Sequence, residues 1–475
     1  MDDMLNSSIF RRRQKHMKKF YKSVCMFIGG ILGFTGCSGN THIGVQNEEQ
    51  IIETQNAEQV TETPSVIKNT DSSEVTGETV TAKITEEFKT GINQFSYKIF
   101  EQLEEEENIF LSPYSMAIAI SMLDNGASGQ TKAEIEKMLG IKDLEEWNKC
   151  VKYYLSLNKE EKAKLLTANS LWLSEQLLLS ENAETDFFNP VMNCYGAEKY
   201  QMNLSSEEAL NQINDWVSDK TNQMIKKMLT EKPGREEKMM LINAVYFKGE
   251  WKEKFDKENT VEEEFYGREK TAEIDMMCKY NNSYRYIVKY GIKAIELPYG
   301  NENIVMDILL PEEGNEKLIY NLPNQTDTDA ALPVSITWLF SNLSDKKKSN
   351  LFTALSKAEP KKVDIVKIPK FNMEYGGKEI ADDLEALGMV QAFDSENAEF
   401  SKISPQLYVN SVLHKAKIEV DEEGTEAAAA TKIGMRSTGM TEQKTFIANQ
   451  PFLFVIRDRE NDMILFMGSI QNLGE

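Results

Sequence analysis

The chain has 475 residues, and its 76 Asp and Glu outnumber its 54 Lys and Arg, which gives a formal net charge of -22 at pH 7. This acidic excess argues against nucleic acid as a partner, because phosphate contacts need clustered basic side chains. Hydrophobic residues make up 41% of the chain, an ordinary share for a globular protein, so a sizeable core can be buried.

The N-terminal segment has the pattern of an export signal. Basic residues gather before position 23, and an uncharged apolar stretch follows over residues 24–35. This stretch is too short for a comfortable membrane span. With the small residues that follow, it predicts a signal peptide over residues 1–36. The long basic region also suggests Met17 as an alternative start of translation.

A cysteine stands directly after the predicted cleavage point. Gly36-Cys37 resembles the end of a bacterial lipobox, although Phe34 replaces the usual Leu and Thr35 the usual Ala or Ser. We expect Cys37 to be lipidated and to anchor an extracellular protein to a bacterial membrane, which would be its only membrane contact. The alternative is an ordinary signal peptide in which Cys37 is incidental.

The next segment is polar and without a regular period. Residues 38–84 are rich in Thr, Glu, Asn, Gln and Ser. Such a composition cannot bury enough apolar surface to offset the entropy of ordering the chain. We therefore expect residues 37–84 to form a disordered tether that carries a folded domain over residues 85–475.

The folded domain starts with helical patterns and ends with strand-like ones. An apolar stripe with helical spacing covers Phe88, Ile92, Phe95, Ile99 and Leu103, and a second helix is predicted over 115–123. Strand-like apolar runs occupy 241–247, 304–310, 453–456 and 464–467. This order predicts the α+β class. Residues 324–348 are polar and irregular, which predicts a surface insertion.

The sequence offers little to support an enzyme or a metal site. His414 is the only histidine in the predicted domain, and no GxSxG elbow supplies a serine nucleophile. No phosphate loop, HExxH or CxxC motif is present, so no cofactor and no metal are expected. The cysteines of the domain are expected to be buried free thiols: Cys150, Cys194 and Cys278.

Ten short stretches together resemble the serpin family. They occur in the family's order at 108–115, 125–131, 213–217, 241–249, 295–299, 368–371, 413–416, 422–431, 449–452 and 466–468. The resemblance implies one serpin domain with three β-sheets, about nine helices and an exposed reactive-centre loop. It also implies a monomeric protease inhibitor rather than an enzyme.

The stretch that begins the reactive-centre loop in serpins has small side chains here. In isolation, its alanine run suggests a short helix or a low-complexity linker. In the family, this hinge becomes a strand inside a central sheet, where side chains alternate between the two faces. The inward positions would be Thr425, Ala427, Ala429 and Thr431, and the outward positions would be Glu426, Ala428 and Ala430. Gly424 would supply backbone freedom at the pivot.

The resemblance also places the bond that the target protease cleaves. Counting 14 residues from Gly424 gives Thr438, so the reactive bond is expected between Thr438 and Gly439. The alternatives are Arg436 and Met435. A small β-branched bait residue suits an elastase- or subtilisin-like serine protease, and the same mechanism can trap cysteine proteases.

Two further groups of residues match positions that control sheet opening in serpins. The shutter group comprises Ser112, Ser115, Asn243 and His414. The breach group comprises Trp251, Lys370 and Glu422. Asn410 stands where many family members have Ser, so its hydrogen bonds are expected to differ. Core packing and surface charge are the alternative explanations for both groups.

One competing function remains within the same fold. A non-inhibitory serpin could act as a binding or scaffold protein, although such serpins often carry bulky, charged or Pro residues in the hinge. A hydrolase is a more distant alternative. The acidic composition argues against a heparin-like cofactor.

Overall fold

The structure is a computed structural model that describes residues 83–103, 107–157, 163–300, 302–312, 335–410, 412–425 and 444–474. Nine α-helices occur in these ranges, α1 to α9: Glu86–Leu103, Pro113–Gly126, Gly129–Leu139, Leu144–Leu157, Asn189–Tyr195, Glu207–Lys220, Ile336–Ser341, Asp345–Ser356 and Ala381–Ala386. The strands β1 to β15 are Ile109–Leu111, Ala163–Ser174, Glu198–Met202, Met239–Glu250, Val261–Tyr266, Thr271–Lys289, Ile292–Pro298, Ile304–Pro311, Lys361–Pro369, Phe371–Glu379, Leu413–Val420, Gly424–Thr425, Thr445–Ile447, Phe452–Asp458 and Met463–Ile470.

The strands form three sheets within the described ranges. The largest has the order β1-β15-β14-β8-β7-β6-β9-β13, with β5 paired to β6. A four-stranded sheet has the order β12-β4-β2-β3, and β10 pairs with β11 alone. The predicted α+β class, with three sheets and about nine helices, is confirmed. The four predicted apolar runs lie in β4, β8, β14 and β15.

Both predicted helices form, and each has a local cause. The apolar stripe of α1 is fully buried, as an amphipathic helix on a core requires. α2 begins at Pro113, where a missing N–H costs nothing, and the Ser112 hydroxyl caps it by accepting the N–H of Ser115. α2 is buried on nearly all sides, so it is a central helix of the domain.

β4 is packed on both faces. Val245 and Phe247 lie in the main core, whereas Ile242 and Ala244 lie in a second cluster that includes residues of α6. Because side chains alternate along a strand, odd-numbered residues of β4 point to the main core and even-numbered ones to the α6 side.

The prediction of a surface insertion over 324–348 is wrong for its described part. Residues 336–341 form α7, and α8 starts at Asp345. Ile336, Leu339 and Phe340 are buried at the spacing of a helix face, which outweighs the polar residues around them. Residues 324–334 lie outside the described ranges.

The three cysteines of the domain are free thiols, but they differ in burial. Cys150 and Cys278 are buried, whereas Cys194 is only half-buried. None of the helices in the described ranges is long and apolar enough to cross a membrane.

Candidate functional site

A gap separates β4 from β11, because no hydrogen-bonded ladder joins these two strands in the described chain. β12 pairs antiparallel with β4. The chain reverses between β11 and β12 through an antiparallel bridge from Asp421 to Gly424. β4 and β11 therefore run parallel, and a strand placed between them would run antiparallel to both. Strand edges of this kind are templates for an additional strand.

A largely apolar cavity lies along this gap. Its walls come from α2, the first half of β4 and the residues that lead into β11. Its apolar lining includes Met116, Ile120, Leu123, Met239 and Leu241. Three of the four predicted shutter residues also line it: Ser115, Asn243 and His414.

The hinge turn at one end of the gap is held by its own backbone and side chains. The Asp421 carboxylate accepts the N–H groups of Glu423 and Gly424, at 2.9 and 3.2 Å. Gly424 has φ +133°, and a Cβ at this position would lie 2.2 Å from the carbonyl oxygen of Gly249. A side chain cannot fit there, so the turn requires glycine at this position.

The predicted breach residues come together around this turn. The Trp251 indole N–H donates to the Asp421 carbonyl at 2.9 Å, and the Lys370 ammonium lies 3.4 Å from the Glu422 carboxylate. The Thr260 hydroxyl also donates to Glu422, at 2.6 Å. Burial opposes ionisation of Glu422, but the Thr260 hydrogen bond and the Lys370 charge outweigh it and hold its pKa below the usual range.

Two of the predicted shutter residues are in direct contact. The backbone N–H of Ser112 donates to His414 Nε2 at 3.1 Å, and the Ser112 hydroxyl donates to the Leu465 carbonyl at 2.8 Å. Because Nε2 accepts this hydrogen bond, it carries no proton, and the imidazole is neutral. Burial lowers the pKa of His414 to about 4, because a charged ring would lose its water.

The other two shutter residues have unused hydrogen-bonding atoms. The Asn243 amide donates to Asn169 Oδ1 at 2.7 Å. In the described part of the chain, neither Asn243 Oδ1 nor the Ser115 hydroxyl has a hydrogen-bond partner, although both atoms are buried. Buried polar atoms are nearly always satisfied, so these two call for a further partner.

Two further polar residues of this region form hydrogen bonds, and the family pattern did not indicate the role of the first. Asn169 links β2 to Asn243 and also donates to the Tyr195 carbonyl at 2.7 Å. Its position directly opposite Asn243 is set by the β2–β4 register, which sequence alone does not give. Asn410 donates to Glu237 at 3.0 Å, which differs from a contact within the shutter group.

Several predicted residues lie outside the described ranges. These are Cys37 and residues 426–443, which include the hinge from Glu426 to Thr431, the alternative bait residues Met435 and Arg436, and the bond between Thr438 and Gly439. The two ends of this loop are described. The described chain stops at Thr425 and resumes at Lys444, whose N–H donates to Asp364 at 2.9 Å.

Comparisons with known proteins agree with this architecture. The family model described as "Serpin (serine protease inhibitor)" matches residues 90–473. An uncharacterized serpin-like protein of Methanosarcina mazei is 32% identical over 80% of this chain and 86% of its own. The leukocyte elastase inhibitor of Xenopus tropicalis is 31% identical over 81% of this chain and 98% of its own. The crystal structure of the thermophilic serpin tengpin in the native state has a TM-score of 0.70 and 30% identity, and the match covers 82% of this chain and 95% of tengpin.

Proposed function

This chain belongs to the serpin family, and we propose that it irreversibly inhibits a serine protease by inserting its cleaved reactive-centre loop between β4 and β11. The pairing of β12 with β4 carries this proposal. Gly424 pairs with Glu250 and Thr425 with Gly249, so the first two residues of the loop already occupy the top of the gap in the inserted direction.

Continuing this register assigns a partner to each loop residue. Each step along the loop meets one residue earlier in β4, so Ala427 would pair with Phe247 and Ala429 with Val245. Paired residues on neighbouring strands point to the same face. Because Phe247 and Val245 point into the main core, the two alanines would do the same, and their small size lets them enter a packed interior.

The outward positions are also compatible with insertion. Glu426 would stand opposite Lys248, an opposite-charge pair that stabilises neighbouring strands. Further along, Ile433 would pair with Leu241 and Met435 with Met239. Both β4 residues line the apolar cavity, so the loop would supply apolar side chains where the cavity requires them.

The chemical step uses the protease's own nucleophile. Its serine hydroxyl attacks the carbonyl carbon of Thr438, an ester forms, and the peptide bond to Gly439 breaks as the Gly439 amine leaves with a proton. The freed strand then inserts. About 14 residues at about 3.3 Å each carry the acylated end roughly 50 Å, which drags the protease along and distorts its active site. Water can then no longer hydrolyse the ester efficiently.

The driving force comes from the sheet, and the inhibitor supplies no catalytic residue. Insertion forms backbone hydrogen bonds to β4 and β11 and buries the inward side chains. The native form must therefore be metastable and persist because a barrier separates it from the inserted form.

A protease panel tests the proposal. Purified residues 85–475 are mixed with serine and cysteine proteases, and the products are separated on a denaturing gel. A covalent complex with at least one serine protease is expected. A panel that yields only cleaved loop or no reaction would instead favour the non-inhibitory binding or scaffold protein, and hydrolysis of added peptides would favour an enzyme.

We also propose that the protein is exported and held on the outer side of a bacterial membrane by lipid on Cys37. The basic and apolar pattern of residues 1–36 supports this location. The Cys37→Ala variant should leave the membrane fraction or fail to mature. A variant that is processed normally and partitions into detergent would contradict the lipid anchor.

A further inference from the structure

Glu423, which directly precedes the hinge glycine, has a buried carboxylate held by two lysines. Its side chain is only 3% exposed, and its carboxylate oxygens lie 2.9 Å from the Lys254 ammonium and 3.3 Å from that of Lys257. Its backbone carbonyl accepts the backbone N–H of Trp251 at 2.9 Å. Both lysines belong to the segment that directly follows β4.

This arrangement differs from an ordinary surface ion pair. Exposed pairs contribute little, because water screens both charges. Here the carboxylate is buried, so removing its partners would leave an uncompensated charge inside the protein, which is strongly unfavourable. The two lysines keep part of their surface in water, so most of the free-energy cost of desolvation falls on the carboxylate.

The contact fixes the position of the hinge relative to β4. Gly424 and Thr425 pair with Glu250 and Gly249, the last two residues of β4. Glu423 directly precedes these two residues and is bound to the segment after β4. This contact holds the start of the loop in line with β4, the strand along which the loop inserts. Glu422 also contacts this segment, through the Thr260 hydroxyl, but its lysine partner is Lys370, on the other side of the gap next to β10. The charge contacts of Glu423 differ, because both of its lysines belong to the segment after β4.

We propose that Glu423, with Lys254 and Lys257, is a positioning residue that keeps the first two loop residues in register with β4 and so sets the rate at which the loop inserts. The inference rests on the proposed function, because that rate decides the outcome for a bound protease. Fast insertion traps the acyl-enzyme, and slow insertion lets water hydrolyse the ester and release cleaved inhibitor.

The Glu423→Gln variant of the full-length protein tests this assignment. It keeps the shape of the side chain and removes the charge. We expect loop insertion to become roughly tenfold slower and the number of inhibitor molecules consumed per trapped protease to rise accordingly. The matched control is Glu385→Gln, which removes an exposed carboxylate from α9, and it should leave both quantities unchanged.

A second measurement separates this inference from the proposed function. A protease that is not trapped cuts the loop, and the gain in thermal stability of the cleaved protein is followed over time. If no protease forms a complex but Glu423→Gln still delays this gain, inhibition fails and the positioning role stands. If Glu423→Gln inserts as fast as the wild type, the positioning role is overturned whatever the panel shows.

Variants of the lysines cover the case in which Glu423→Gln does not fold. Lys254→Gln and Lys257→Gln each leave one cation beside the carboxylate and should give intermediate delays. The charge exchange Glu423→Lys with Lys254→Glu should recover part of the insertion rate that Glu423→Lys loses. No delay in either lysine variant and no recovery in the exchange would contradict the proposal.

Discussion

Ser115 and Asn243 line the same cavity, and each has a buried oxygen without a hydrogen-bond partner in the described chain. The two residues come from different elements, since Ser115 lies in α2 and Asn243 in β4. In the register of β12, position 431 of the loop falls opposite Asn243, and residue 431 is a threonine. The hydroxyl of a threonine inserted there can donate to Asn243 Oδ1 and accept from the Ser115 hydroxyl.

The first prediction concerns this threonine. Thr431→Val keeps the shape of the side chain but removes the hydroxyl, so the inserted form should lose about 1–3 kcal/mol while the native form is unaffected. Thermal unfolding of the native and the cleaved protein measures both effects. Thr441→Val, beyond the reactive bond, is the control. An equal loss of stability in both forms would show that Thr431 acts elsewhere.

The second prediction concerns the inward positions near the hinge. Thr425→Arg or Ala427→Glu would force a charge into the main core on insertion, which costs several kcal/mol if the charge is unpaired. Each should turn the inhibitor into a substrate, because hydrolysis then outruns insertion. Titration of the protease gives the stoichiometry of inhibition. Glu426→Gln changes charge on the opposite face and should have little effect, and an unchanged stoichiometry for Ala427→Glu would contradict the register.

The elements of the fold could largely be predicted from local patterns. The stripe of α1 and the cap and proline of α2 are contained within a few residues, so their physical causes are visible in the sequence. The prediction of a surface insertion over 324–348 failed at α7, because it rested on the polar neighbours and not on the spacing of Ile336, Leu339 and Phe340. A helix of only 6 residues gives a weak periodic signal.

The site depends on long-range contacts that no local pattern contains. The Asn243 amide donates a hydrogen bond to Asn169, which is 74 residues away in the sequence, and this contact follows only from the β2–β4 register. The lysine partners of Glu423 are likewise set by how the segment after β4 folds back on the hinge turn. Family resemblance supplied the shutter and breach positions, whereas the gap and its unsatisfied atoms required the structure.

The third prediction concerns pH and His414. The unfolded chain binds a proton on this imidazole near pH 6.5, whereas burial lowers the pKa in the folded protein to about 4. Between these values the unfolded state binds more protons, so the stability of the native form should fall as the pH falls, by about 3 kcal/mol in total. A protonated Nε2 would also present a donor to the Ser112 N–H, which is itself a donor.

The His414→Gln variant isolates this effect from other titrating groups. A glutamine oxygen can accept from the Ser112 N–H but does not titrate in this range. Urea unfolding of both proteins between pH 7.5 and pH 4 gives the difference in stability as a function of pH. As the pH falls, the free energy of unfolding of the wild type should decrease relative to that of His414→Gln. A difference that stays constant with pH would mean that His414 is not the responsible group.

The last prediction concerns the reactive bond, for which the register of β12 adds a structural argument. Met435 would pair with Met239, the first residue of β4, so a strand cleaved after Arg436 would end one residue beyond that strand. Cleavage after Thr438 adds two residues and carries the acyl end past Glu237, which hydrogen bonds to Asn410 across the gap. The longer strand moves the protease further from its docking position, so cleavage at Thr438 should trap and cleavage at Arg436 should yield mainly substrate turnover.

Mass spectrometry of the C-terminal peptide released when a trapped complex is denatured distinguishes these bonds. A peptide that starts at Gly439 supports Thr438 and an elastase- or subtilisin-like target with a shallow pocket, because threonine is small and β-branched. A peptide that starts at Ser437 would assign the bait to Arg436 and favour trypsin-like targets, whose pocket carries an acidic residue. Thr438→Arg provides the complementary test, because it should redirect trapping towards trypsin-like proteases while the inserted length stays the same. If that variant traps no trypsin-like protease yet is cut by one after position 438, the inserted length does not decide the outcome and the register argument fails.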